Sequence, residues 1–110
     1  MTKLHFTESA THHVDEIHRF IARDSIQAAD NVVHAIYAAA ELLVRFPRMG
    51  HQSVRRNTRM FVLPDYPYLF CFQYLPRLDE LRIRAVRHAA RRRAVELRDP
   101  QGEFRAAVIS

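Results

Sequence analysis

Between Phe46 and Met60 the hydrophobic pattern of this chain changes period. Upstream, apolar residues recur every three or four positions. Ala10, Val14, Ile17 and Ile21 form one stripe with Phe20 at its edge, and Val32, Ile36, Ala39, Leu43 and Phe46 form a second. Downstream the period is two: Tyr68, Phe70, Phe72 and Tyr74 alternate with Leu69, Cys71, Gln73 and Leu75. Leu81, Ile83 and Ala85 then alternate with Arg82 and Arg84. A period near 3.6 gives a helix one apolar face, and a period of two does the same for a strand. Each face must be buried against another element. A helical hairpin followed by strands therefore predicts a two-layer α+β domain, with the hairpin packed on one face of a small sheet.

Local signals place the boundaries. Lys3 to Phe6 alternates and reads as a short first strand. Thr7 is placed to cap a helix whose first turn holds Glu8. Asp24 and Ser25 interrupt the stripe before a second helix from about Ile26 to Phe46, with Gln27 placed to return a bond to the Asp24 backbone. Alanines 28, 29, 35, 38 and 40 keep that helix slim. Pro47 stops it and Gly50 supplies the following turn. Met60 to Leu63, Tyr68 to Leu75, and Leu81 to near His88 read as three strands, the last two joined through Pro76 to Asp79. Ala89 to Leu97 favours a last short helix. One domain over residues 1–97 and a polar tail over 98–110 account for all 110 residues.

Hydrophobic residues make up 48% and charged residues 26%, the composition of a globular chain. No apolar run approaches the roughly 20 residues of a membrane helix, and the first residues do not read as a signal peptide. Cys71 is the only cysteine, so neither an internal disulfide nor a cysteine-based zinc site is expected; a reducing compartment, the cytoplasm, is. Charge is unevenly placed. Residues 1–47 carry four Lys or Arg against six carboxylates, whereas residues 48–110 carry thirteen arginines against six carboxylates. A GC-rich genome would explain Arg in place of Lys, but not the difference between the halves. The basic half predicts an anionic partner, nucleic acid or an acidic protein segment.

Four segments, in order, resemble the RelE/ParE superfamily of toxin–antitoxin toxins, the ParE-like branch above all. They are Val14 to Ile21; Ala28 to Asp30 with the stop at Phe46 to Gly50; Arg59 to Phe72; and Ile83 to Arg91, together covering about residues 4–93. The resemblance implies a toxin held silent by a cognate antitoxin, ParD-like or similar, in a hetero-oligomer. ParE-like members inhibit DNA gyrase; RelE-like members cut messenger RNA in the ribosome. A third possibility is a degenerate toxin kept as a binding module.

Metal-free RNA cleavage needs an acid–base group and cations around the phosphorane. His88 is the candidate acid–base, in a position like that of a functional histidine in YoeB-like ribonucleases. Arg59, Arg82, Arg84, Arg87 and Arg91 are the candidate target or nucleic-acid contacts, together with His88. Two departures favour gyrase. RelE-like nucleases place an arginine after the tyrosine that opens the central strand, where this chain has Leu69. No carboxylate lies between Glu41 and Asp65 to serve as a base. In the favoured reading no residue is catalytic and no cofactor or metal is expected. His12, His13 and His18 with Asp15 and Glu16 lack a zinc-binding order and read as a wet helix face. The aromatic row Tyr68 to Tyr74 suits a core floor better than base stacking. Cys71 reads as a buried small hydrophobe, and Arg91 to Arg93 as a solvated run or a phosphate or antitoxin contact.

Overall fold

The computed structural model describes residues 1–53 and 57–89. Thr7 caps α1 (Glu8–Ala22), its hydroxyl accepting the Ala10 N–H at 3.1 Å. The second cap is Ser25, whose hydroxyl accepts the Ala28 N–H at 3.1 Å. The cap therefore sits at Ser25 and not Asp24, which makes Ala28 the third helical residue, a side chain with nothing to return in place of the bond expected from Gln27. α2 runs Ile26–Arg45 and ends a residue early, because Phe46 leaves helical geometry; its ring, expected in the core stripe, is exposed. Pro47 cannot continue the helix, which fixes the stop.

Five strands form one mixed sheet in the order β1-β5-β4-β3-β2. They are β1 (Lys3–Phe6), β2 (His51–Gln52), β3 (Arg59–Val62), β4 (Tyr68–Leu75) and β5 (Glu80–His88). The antiparallel β3–β4–β5 core matches the alternation in the sequence. Two features go beyond it. β1 lies parallel to β5, pairing Lys3 to Phe6 with Glu80 to Ile83, and the two-residue β2 extends the other edge. Asp79 anchors the first: its backbone carbonyl accepts the Lys3 N–H at 2.8 Å and its carboxylate accepts the Thr2 hydroxyl at 2.7 Å.

The aromatic row is the floor of the core, as expected. Phe70 and Phe72 are fully buried with Ile36, Leu43, Leu81 and Ile83. Ala10, Val14, Ile17, Val32 and Ala39 pack onto them from the hairpin. Burial of this much apolar surface is the main stabilising term of the domain. Residues of opposite parity on β4 fall on the far face, where Leu69 and Cys71 join Met60 in a second buried cluster. Register on β5 steps from Cys71↔Ala85 to Phe72↔Ile83, leaving Arg84 as the extra residue of a bulge. Beyond the bulge the parity of β5 is reversed. Val86 therefore faces the hairpin, as Ile83 does, and Ala85 joins the far-face cluster. Among the described residues no helix is long and apolar enough to cross a membrane.

Candidate functional site

β1 has four residues and β5 has nine, so β5 runs beyond its neighbour. Side chains from α1 occupy the edge this leaves. The Thr7 hydroxyl donates to the Arg84 carbonyl at 3.2 Å, and the Val86 N–H donates to His13 Nδ1 at 3.2 Å. A backbone donor at the end of a strand pairing is thereby satisfied by an imidazole. Because Nδ1 accepts, the hydrogen of the neutral ring resides on Nε2. Burial holds the His13 pKa below its usual value; the Arg87 guanidinium pushes it the same way, and Glu16 opposes them.

Beside this contact, α1 and the end of β5 border an open cleft of about 740 Å³. From α1 come His13, Glu16, Ile17, Arg19 and Phe20, and from its C-cap Arg23. The spacing of His13, Glu16, Ile17 and Phe20 sets them along one side of the helix, at the border of the core stripe. From the sheet come Tyr68, Val86, Arg87 and His88, with the His88 ring edge-on to Tyr68 at 5.4 Å between centroids. The cleft thus joins two imidazoles, one carboxylate and three guanidinium groups to a partly apolar wall.

Among the described residues, the sequence-expected contacts do not share one surface. Arg87 and His88 line the cleft. Arg84 sits exposed at the bulge. Arg82 pairs with Glu80, its Nε and Nη2 both 2.9 Å from one carboxylate oxygen. Arg59 faces the hairpin side of the sheet, opposite Phe72, whereas Arg82 is opposite Gln73 on the other side. Its guanidinium donates to the carbonyls of Arg48, Met49 (3.3 Å) and Gly50 (3.1 Å), fastening the turn after α2. Arg91 and the expected helix over residues 89–97 lie outside the described residues, save Ala89 at its start, and so does the tail.

The histidines of α1 disperse. His12 pairs with Glu16 at 3.5 Å, His13 turns to Val86, and His18 meets Asp30 of α2 at 2.9 Å. Sequence reasoning treated Glu16 and His13 as a wet helix face and missed that they border the same cleft as His88. The i, i+3, i+4, i+7 and i+10 spacing of His13, Glu16, Ile17, Phe20 and Arg23 was the available signal.

Comparison with known proteins agrees with this architecture. The chain is similar to a Pseudomonas aeruginosa chain solved as part of a chromosomal ParDE toxin–antitoxin system. The TM-score is 0.69 at 21% identity, over 80% of this chain and 96% of that one. It is also similar to isolated Escherichia coli RelE toxin, with a TM-score of 0.60 at 14% identity, over 88% and 98% of the two chains. At these identities the likeness concerns the fold. A Sinorhizobium fredii protein, Y4kP, which carries a provisional toxin name, is 32% identical over 71 residues, 64% of this chain and 74% of that protein. The family model for the ParE toxin of type II toxin–antitoxin systems matches residues 4–93, and the chain belongs to that family.

Proposed function

We propose that this toxin acts by inhibiting DNA gyrase and that a cognate antitoxin, bound in a hetero-oligomer, keeps it silent. The observation that carries this reading is the state of the positions a phosphate-cutting site would need. Leu69, where RelE-like nucleases resemble one another in having an arginine, is 3% exposed in the far-face cluster. A cation there would be buried without a partner, at a cost of several kcal/mol. Arg59, the nearest cation on the adjoining strand, is committed to three turn carbonyls. What is left suits binding better than a clamp on a phosphorane. The competing reading is ribosome-dependent mRNA cleavage with His88 as acid–base, and it draws on the cleft, whose lining holds the Glu16 carboxylate as well as His88.

Expression without the antitoxin separates the two. For a gyrase inhibitor, growth stops, plasmid DNA loses negative supercoils, transcripts keep intact 5′ ends, and His88→Ala remains toxic. Fragmented transcripts, with toxicity abolished in a folded His88→Ala variant, contradict the proposal.

A further inference from the structure

We propose that the cleft between α1 and the end of β5 binds a ribonucleoside phosphate. Arg23 and Arg87 hold the phosphate, Phe20 stacks on the base, and Glu16 accepts from the ribose hydroxyls. This proposal does not rest on the gyrase reading; its cleft is the one on which the competing reading draws.

Its size is right: about 740 Å³ lies within the range of small-molecule sites. The lip carries an aromatic ring that the fold does not use. Phe20 is 65% exposed although it adjoins the core stripe, and the Arg23 guanidinium lies 5.9 Å from its ring centroid. An exposed ring beside a cation is the arrangement on which bases stack while their phosphates are neutralised. The hydrogen-bonding groups are equally selective. With His13 Nδ1 engaged by the Val86 N–H, the neutral ring has only Nε2–H to offer, a donor suited to an anionic oxygen. Arg19 shares its charge with Asp15 at 2.9 Å in an exposed pair, which is weak and readily exchanged.

Glu16 decides the ligand class. A bare anion, or an acidic peptide, would set negative charge against this carboxylate and make no use of the exposed Phe20 ring. A ribonucleoside phosphate gives each group a counterpart, because vicinal hydroxyls are donors that a carboxylate accepts in nucleotide sites. The pair of Glu16 with His12, 3.5 Å apart and exposed, is loose enough to yield.

The test is calorimetric titration of the full chain with adenosine 5′-monophosphate. One molecule binds per chain, and inorganic phosphate and 2′,3′-dideoxyadenosine monophosphate each bind at least about tenfold more weakly. Phe20→Ala and Arg87→Gln each weaken binding about tenfold, the loss expected for a stacking or phosphate contact. Arg77→Ala, in the turn between β4 and β5, leaves it unchanged. A tetra-adenylate RNA that binds more tightly than the monophosphate identifies an RNA strand as the source; equal affinity identifies a free nucleotide. No binding at millimolar monophosphate overturns the proposal. So does equal affinity for inorganic phosphate or the dideoxy compound, comparisons made on the unaltered chain and so independent of whether a variant folds.

Discussion

At the scale of single residues, two positions carry consequences that their neighbours do not. Gly50 has φ near +90°, and a Cβ built there would overlap the Met60 carbonyl oxygen. Backbone, unlike a flexible side chain, cannot step aside. Gly50→Ala is expected to destabilise the domain by roughly 2–4 kcal/mol, combining a left-handed conformation with a clash. Urea denaturation measures this directly, and an unchanged midpoint contradicts it. His13 makes a prediction about pH. Its folded pKa is depressed, so the unfolded chain takes up the proton first as pH falls. The associated stability is complete above about pH 6.5, the ordinary histidine value, and is lost as pH falls through the lower folded value. His13→Asn supplies a side-chain acceptor for Val86 that does not titrate. The drop in Tm between pH 7.5 and pH 5 should therefore be smaller in the variant than in the parent. The rest of the chain is the same in both proteins, so the comparison isolates position 13. An equal drop removes His13 from the account.

At the scale of elements, the sequence was most legible where periodicity was strict. β1, β4 and the two helices fall where alternation and capping place them, because burial on one face leaves little freedom of register. β2 was invisible: two exposed residues, His51 and Gln52, carry no pattern, and their pairing follows from the turn that Gly50 and Arg59 build. The parallel placement of β1 is also a long-range outcome, set by Thr2 and Lys3 reaching Asp79. The bulge at Arg84 could not be read from alternation, since it is the interruption of alternation. It also decides the site, because it turns Val86 and His88 toward α1. Arg59 read as a target contact, yet its guanidinium serves the turn after α2. Arg59→Ala should lower stability by about 1–2 kcal/mol through the lost charge-assisted bonds. Arg59→Lys should recover little of it, since a single ammonium lacks the fork that spans those carbonyls. A variant as stable as the parent but harmless to cells would return Arg59 to the role of target contact.

At the scale of the whole molecule, the helical hairpin buries one side of the sheet, and the far side is divided. Met60, Leu69 and Cys71 make part of it apolar, while His5, Gln73 and the Arg82–Glu80 pair make the rest polar. Among the described residues, the arginines of the second half do not make a single basic face, and the cations gathered at the cleft include two from the acidic first half. That distribution fits a protein that binds through shaped surfaces rather than through a uniform positive field. The most direct test is gyrase supercoiling of relaxed plasmid, titrated with the purified full chain alone and with its antitoxin. The account predicts inhibition near stoichiometric toxin, relieved by an equimolar amount of antitoxin and retained by His88→Ala. Full supercoiling in the presence of excess folded toxin would contradict it.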